Sequence, residues 1–186
     1  WGRRRKALPN VWSPNNIDVM NNIIIDNFID DPNKYVIDIL DKNFQDVTAE
    51  DTLFKGIQVR KMDELQYKVE DAFPDYEVTF NFIRQSPLDQ KEPNFIHTDE
   101  MMGDKTVLLY LNKHHPMEDG TTLYNFNKVL DDYIPMCTFY ACYNRLVIFD
   151  SSIPHSRNIY ENFGEGEYSR LVQVMFLKLK QWVQIF

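Results

Sequence analysis

The chain has 186 residues, of which 44% are hydrophobic and 26% charged, and this composition predicts one globular domain rather than a disordered or fibrous protein. The formal net charge of −8 argues against nucleic acid as the main partner, because proteins that bind nucleic acid are usually basic. No apolar run approaches the roughly 20 residues of a membrane helix and no signal-peptide pattern is present, so we expect a cytoplasmic protein without membrane contact.

Two local features depart from this average. The basic run Arg3 to Lys6 is interpreted either as a solvated end of the chain or as an interaction arm. Two cysteines, Cys137 and Cys142, are too few for a disulfide scaffold, and we expect both to be free thiols, although their spacing alone does not exclude a bridge.

The first part of the chain, residues 1–77, is predicted to contain a strand and two helices. Asn22 to Phe28 is a short β-branched run that predicts a strand. Asp30-Asp31-Pro32 predicts a helix start, because acidic residues favour the helix N-terminus and proline is tolerated at its first position; apolar spacing continues to about Phe44. A second helix is predicted over Met62 to Phe73, where Pro74 ends it.

After Pro74 the pattern changes to short alternating runs separated by turn residues, which is typical of strands. The predicted fold class is therefore mainly β with flanking helices (α+β): a β-sandwich or barrel over 78–180, with the N-terminal helices packed on one sheet. The segment Val129 to Tyr143 is compatible with a loop, a short helix or a strand. The predicted strands are Val78 to Ile83, Asn94 to Asp99, Thr106 to Asn112, Thr121 to Phe126, Arg145 to Phe149 and Arg170 to Lys178.

The motif His97-Thr98-Asp99 is the strongest chemical signal in the sequence. Residues two apart on a strand share a face, so the imidazole and the carboxylate would point the same way. His155, just after a strong predicted strand, would add a second imidazole and complete a 2-His-1-carboxylate set, which holds Fe(II) and leaves positions open for a co-substrate and O₂. Taken singly, each of these residues also fits a structural role in a strand or turn.

Arg170 opens an otherwise apolar predicted strand. Such a residue is either at the rim of the sheet or inside the barrel, where a buried charge would need an anionic partner. A dicarboxylate co-substrate would supply that partner through a bidentate contact.

The stretch from Val78 to Lys178 resembles the 2-oxoglutarate- and Fe(II)-dependent dioxygenases, specifically their prolyl-4-hydroxylase-like branch. Val107 to Asn112 looks like that branch's strand ending in Tyr-Leu-Asn. Asp119 to Tyr124 looks like its Gly-Gly-x-Thr-x-Phe turn, with Asp119 in place of the first glycine. Arg145 to Phe149, followed by Pro154-His155-Ser156, looks like its strand leading to the distal histidine.

The resemblance implies a single domain over 1–186 with a double-stranded β-helix, or cupin-like jelly-roll, fold. His97, Asp99 and His155 would be the iron ligands, Arg170 would bind the distal carboxylate of 2-oxoglutarate, and the Tyr110 hydroxyl would share it. Fe(II) and 2-oxoglutarate would activate O₂ with decarboxylation to succinate, and ascorbate would be an optional reductant.

Several other residues are candidates for lesser roles. Arg170 lies farther beyond His155 than is usual in the family, whereas Arg157 lies too close to that histidine to reach a distal carboxylate. Asp150 would orient a ligand imidazole or simply end a strand, and the pair His114-His115 is expected in a surface loop. Glu100, Met101 and Met102 are candidates for lining the mouth of the site. Arg84, Arg157 and Asn81 are candidates for contact with substrate.

The predicted function is hydroxylation of an amino-acid or peptidyl substrate, with proline the best guess from the resemblance. Partners would be a peptide, a protein or a small molecule. The alternatives are a non-catalytic cupin-like metal- or ligand-binding domain, which would not need a carboxylate anchor, and another cupin-type metalloenzyme such as an isomerase. The latter usually draws more than two histidines into its metal site, and this chain has 4 in total.

Overall fold

The computed structural model describes residues 22–49, 52–86, 88, 95–159 and 161–180. The basic run at residues 3–6 and position 94 of a predicted strand lie outside these residues. In chain order the elements are β1 (Ile23–Asp26), α1 (Pro32–Leu40), β2 (Gln45–Ala49), β3 (Thr52–Val59), α2 (Glu64–Ala72), β4 (Tyr76–Ser86), β5 (Lys105–Tyr110), β6 (Gly120–Asn127), β7 (Asp132–Tyr140), β8 (Arg145–Asp150), β9 (His155–Arg157), a 3₁₀ turn (Gly166–Tyr168) and β10 (Arg170–Leu179).

The strands form two antiparallel sheets. The larger sheet has the order β1-β8-β5-β10-β4-β3-β2, and the smaller one has the order β7-β6-β9. No helix in the described part of the chain is long and apolar enough to cross a membrane. A mainly β chain with two helices and two antiparallel sheets in this order agrees with the predicted fold class and is consistent with a jelly roll.

Side-chain alternation on the central strands divides the core into two layers. Odd-numbered residues of β5 and β10, such as Leu109 and Leu171, belong to a cluster that also contains Tyr35 and Ile39 of α1 and Leu65 of α2. Even-numbered residues of the same strands belong to a second cluster with side chains of the small sheet: Leu108, Tyr110, Val172, Leu123 and Phe139. The second cluster therefore lies between the two sheets, and residues that share its face look into that space.

Aspartate caps set the helix starts. The Asp31 carboxylate accepts a hydrogen bond from the Lys34 N–H at 3.0 Å, and Pro32 occupies the first helical turn. The first helix ends at Leu40 rather than near residue 44, where the sequence pattern had placed its end. The second helix begins at Glu64 behind its cap Asp63.

Three strands of the structure are not predicted from the sequence, and one predicted strand is reduced to a single bridge. The hairpin of β2 and β3 lies at the edge of the large sheet, and its side chains are mostly exposed or half-buried, so the apolar alternation is weak. The third missed strand, β9, has only three residues. The ambiguous segment 129–143 contains β7, whose side chains are also largely exposed. The segment around His97 makes one isolated bridge instead of a full strand.

Asp63 links the helices to the sheet. Besides capping α2, its carboxylate accepts hydrogen bonds from the Tyr35 hydroxyl at 2.9 Å, Arg60 Nε at 3.0 Å and Gln173 Nε2 at 2.9 Å. Burial raises the pKa of Asp63, but hydrogen bonds from the Gln66 N–H and the Arg60 guanidinium outweigh burial and hold that pKa below its usual value.

We predict that Asp63→Ala lowers the free energy of unfolding by about 3 kcal/mol, because it removes both a cap and a buried, multiply hydrogen-bonded charge. The matched control is Asp31→Ala, which removes an exposed cap and should cost about 1 kcal/mol. Urea denaturation measures both. Since the pKa of Asp63 is lowered in the folded protein, its stabilising contribution is present above the ordinary pKa of 3.8 and is lost as the pH falls through the folded value. Equal losses for the two variants would contradict the linking role of Asp63.

Candidate metal centre and co-substrate pocket

A two-way backbone pairing brings the distant parts of the site together. The N–H of His97 donates to the carbonyl of His155 at 3.0 Å, and the N–H of His155 donates to the carbonyl of His97 at 2.8 Å. The Asp99 N–H donates to the Ser151 carbonyl at 2.8 Å, which fixes the next part of the segment beside the turn after β8. One potential ligand atom from each of His97, Asp99 and His155 then lies within 4.8 Å of the others.

Both imidazole rings present the same nitrogen to this cluster. Nδ1 of His97 lies 3.1 Å from the Phe95 carbonyl oxygen, and Nδ1 of His155 lies 2.9 Å from the Ile153 carbonyl oxygen. A carbonyl only accepts, so each Nδ1 carries a proton, and Nε2 is the nitrogen that each ring turns towards Asp99. The two Nε2 atoms lie 3.6 Å and 3.2 Å from the two oxygens of Asp99.

The charge states suit metal ligation. Burial lowers the pKa of His97, and the neighbouring His155 lowers it further. Burial alone would raise the pKa of Asp99, but contacts with the two histidines and with the Thr106 hydroxyl, which donates at 3.1 Å, bring it below its usual value. A neutral imidazole and an ionised carboxylate are the forms that bind a divalent metal.

The cluster is open on one side. The His97 side chain is 39% exposed, whereas the His155 side chain is 7% exposed. The ring of Phe149 packs edge-on against His155 with a centroid distance of 4.9 Å, and that of Phe95 lies 5.0 Å from His97. Two nitrogens and one carboxylate with an open approach fit the 2-His-1-carboxylate donor set of Fe(II).

Strand register connects this cluster to a deeper group of polar residues. His155 lies opposite Leu123 of β6, and Arg157 lies opposite Thr121. Directly opposed residues share a face, so Thr121 lies on the inner face about 7 Å along the strand from the level of His155. The Tyr110 hydroxyl donates to Thr121 Oγ1 at 2.8 Å from the facing sheet.

Arg170 completes this deeper group, together with a residue that the sequence analysis had not treated as functional. Arg170 Nε donates to Asp119 Oδ1 at 2.9 Å; the Arg170 side chain is 9% exposed and the Asp119 side chain is 0% exposed. Tyr110 is also fully enclosed, and burial raises its pKa to about 12. The two predicted co-substrate residues, Tyr110 and Arg170, thus lie in one buried cluster, which we call the anchor cluster: Tyr110, Asp119, Thr121 and Arg170.

Gly120 lets the turn that carries Asp119 pass close to β7. Its φ is +151°, and a Cβ at this position would lie 2.0 Å from the Phe139 carbonyl oxygen, so only glycine fits. The Gly120 N–H donates to Asp119 Oδ1 at 2.8 Å. The signal in the sequence was the aspartate in place of the first glycine of the turn motif, but its burial follows from contacts with distant strands.

Comparisons with known proteins give a consistent result for the fold. No protein-family model matches the chain, and no curated protein matches it in sequence. A prolyl-4-hydroxylase of Pseudomonas putida matches with a TM-score of 0.56 and 16% identity over 88% of this chain and 95% of its own. A prolyl hydroxylase of Trichoplax adhaerens, in complex with a hypoxia inducible factor oxygen degradation domain peptide fragment, matches with a TM-score of 0.55 and 16% identity over 84% of this chain and 82% of its own. A member of the 2OG-Fe(II) oxygenase family from Burkholderia pseudomallei matches with a TM-score of 0.53 and 14% identity over 84% of each chain.

The chain has the 2OG-Fe(II) oxygenase fold. The resemblance to the prolyl hydroxylase-like branch that was predicted from the sequence is thereby confirmed for the fold. In this oxygenase fold, the bridge between His97 and His155 and the backbone bond of Asp99 to Ser151 bring the three candidate ligands together at the start of β9.

Some candidates take other roles in the oxygenase fold. Asp150 pairs with Lys105 rather than with an imidazole, so it does not orient a ligand ring. Asn81 is 3% exposed on the helix-facing side of the sheet, where it accepts a hydrogen bond from Gln173, so it is not placed to contact a substrate at the metal cluster. His114 stacks on Tyr168, away from the metal cluster.

The remaining candidates lie in several environments. Arg84 lies over the ring of Phe54, with 5.8 Å between its Cζ and the ring centroid. Arg157 shares the inner face with Thr121. Met101 is 92% exposed beside the exposed Glu100. Cys137 and Cys142 are free thiols, as predicted.

We predict a graded loss of metal affinity. Asp99→Ala and His155→Ala remove ligands and should weaken Ni(II) binding by about 100-fold or more. Thr106→Val keeps all three ligands and removes the hydroxyl that contacts Asp99 and Ser151, so it should cost about tenfold. Titration calorimetry on the full chain measures these affinities, with His114→Ala as the matched control. Wild-type affinity in the His155→Ala variant would contradict the assignment of the metal centre.

Proposed function

We propose that the protein is an Fe(II)- and 2-oxoglutarate-dependent dioxygenase that hydroxylates an amino-acid or peptidyl substrate, in the manner of a prolyl hydroxylase. The observation that carries this proposal is the convergence of His97, Asp99 and His155 within 4.8 Å, on one open side of an oxygenase fold. These residues are proposed as the iron ligands, and Arg170 and Tyr110 as residues of the co-substrate pocket.

The protein's own residues would hold the reactants and exclude water. The carbonyl oxygens of Phe95 and Ile153 fix the two imidazoles through Nδ1, and Thr106 fixes the Asp99 carboxylate, so the three ligand atoms are already oriented. Phe149 and Leu123 form an apolar wall beside His155. Bound Fe(II) would supply O₂ activation, with one oxygen atom inserted into a substrate C–H bond, the other incorporated into succinate, and CO₂ released.

A peptide is the substrate class best supported at the mouth. Three apolar side chains within a few residues of His97 and Asp99 in the chain are exposed: Phe95 at 56%, Met101 at 92% and Met102 at 43%. Flexible apolar side chains such as methionine adapt to peptide surfaces. The Trichoplax adhaerens structure of the same fold contains a peptide fragment, and the net charge of −8 would favour a basic peptide.

The experiment combines turnover with a ligand variant. The Fe(II)-loaded protein, with ascorbate, is supplied with 2-oxoglutarate and, in parallel, with other 2-oxo acids; O₂ consumption, succinate and hydroxylated product are followed with free proline and with proline-containing peptides. We expect turnover that depends on the 2-oxo acid and is abolished by His155→Ala but retained by His114→Ala. Peptides in which alanine replaces proline test the hydroxylated position. An iron-loaded protein that neither binds nor consumes any 2-oxo acid would overturn the proposal.

A further inference from the structure

The Arg170 side chain already has a carboxylate partner from its own chain. Arg170 Nε donates to Asp119 Oδ1, and this is the only hydrogen bond that the guanidinium makes within the described residues. Both side chains are buried, at 9% and 0% exposure. Asp119 Oδ2 is buried as well and has no hydrogen-bond partner among the described residues. The anchor cluster therefore contains an ion pair between Arg170 and Asp119, whereas the resemblance predicted that Arg170 has no anionic partner until a ligand binds.

This pair would be costly for an incoming carboxylate to replace. If Arg170 turned to a ligand, Asp119 would remain buried with only the Gly120 N–H as donor, and an unpaired buried charge is strongly unfavourable. If Asp119 stayed in place, two carboxylates would share one guanidinium, and like charges in a buried site repel each other. Either arrangement reduces what Arg170 contributes to the binding of a second carboxylate.

The cluster lies where the far end of a 2-oxo acid would reach. Leu123 of β6 lies opposite His155, and Thr121 lies two residues before Leu123 on the same strand. The distance between these two levels along the strand is about 7 Å. Tyr110 reaches Thr121 from the facing strand, and Arg170 precedes Val172, which lies opposite Tyr110. A five-carbon 2-oxo acid held at the metal by its keto acid end would therefore bring its fifth carbon towards the anchor cluster.

We propose that Asp119 determines co-substrate specificity: it supplies Arg170 with the negative charge that the distal carboxylate of 2-oxoglutarate would supply, so the pocket accepts 2-oxo acids with an uncharged tail at least as well as 2-oxoglutarate. This inference rests on the proposed function and sharpens it by naming the chemical class of the co-substrate. Tyr110, Thr121 and the Asp119–Arg170 ion pair are polar and carry no net charge among themselves, and Arg157 lies opposite Thr121 on the same face.

The test compares two ligands of equal carbon count. 2-Oxopentanoate has a methyl group where 2-oxoglutarate has its distal carboxylate. Binding of each to the Ni(II)-loaded full chain is measured by titration calorimetry, which does not depend on turnover. In the wild type we expect the two dissociation constants to agree within a few-fold.

The informative variant is Asp119→Asn, because asparagine has the same shape and its Oδ1 can accept the same two hydrogen bonds without the charge. We expect 2-oxoglutarate to bind about tenfold tighter or better to this variant, since the repulsion is gone, while the affinity for 2-oxopentanoate stays within a few-fold. The matched control is Glu118→Gln, which removes one negative charge from the adjacent exposed residue and should change neither affinity. Asp119→Gly restores the residue of the motif and provides a second variant if the asparagine protein folds poorly.

A second substitution tests whether Arg170 is the residue that binds 2-oxoglutarate more tightly once the charge of Asp119 is removed. In the Asp119→Asn background, Arg170→Ala should abolish the gain for 2-oxoglutarate and leave 2-oxopentanoate unaffected.

The failures are distinguishable. A wild type that binds 2-oxoglutarate at least about tenfold more tightly than 2-oxopentanoate, with no gain in Asp119→Asn, would overturn the role of Asp119 and leave the proposed dioxygenase function standing. A metal-loaded protein that binds neither ligand in any of these variants would overturn both.

Discussion

The reciprocal hydrogen bonds between His97 and His155 are the interaction on which the site depends. Two backbone bonds, at 3.0 Å and 2.8 Å, join a segment before β5 to the start of β9, so both imidazoles project from opposed positions of one bridge. Ring centroids 4.5 Å apart follow from this pairing. Because each Nδ1 faces a carbonyl of its own segment, the backbone also selects the nitrogen that is offered to a metal. The carboxylate two residues beyond His97 is held by the backbone bond of Asp99 to Ser151 and by the Thr106 hydroxyl.

Because side chains alternate along β5, β8 and β10, the residues that pack against the helices and the residues that line the candidate pocket lie on opposite faces of the large sheet. Residues facing the helices build the larger apolar cluster and the polar link of Asp63 with Tyr35 and Gln173, whereas residues of opposite parity build the wall of the candidate pocket. A shift of register by one residue would exchange the two faces, so the buried clusters on both sides specify the register that brings Tyr110 and Arg170 to the inner face. The same rule removes Asn81 from the pocket, since its position places it with Gln173 under the helices.

The sequence predicted the elements whose signals are local. Alternation identified the central strands, the aspartates and Pro32 identified helix starts, and the spacing of His97, Asp99 and His155 identified the residues that the fold brings together. The β2–β3 hairpin and β7 were missed or left open because their side chains are largely exposed and show no clear period. Asp119 could not be recognised as buried, since its environment is made by the backbone of Gly120, the carbonyl of Phe139 and a guanidinium 51 residues away.

The Asp119–Arg170 pair also bears on how such a pocket folds before any ligand binds. An arginine at 9% exposure with no anion beside it would carry the desolvation cost of its charge throughout folding, and a ligand would remove that cost only on binding. An internal carboxylate offsets part of that cost in the ligand-free protein, and it lowers the affinity that the unpaired cation would have offered to a dicarboxylate. The Arg170 guanidinium can therefore either pair with Asp119, which stabilises the ligand-free protein, or bind the distal carboxylate of 2-oxoglutarate with its full charge. Asp119, in place of the glycine of the motif, favours the stability of the ligand-free protein over affinity for 2-oxoglutarate. The reason is that one guanidinium cannot give its full charge to two carboxylates at once.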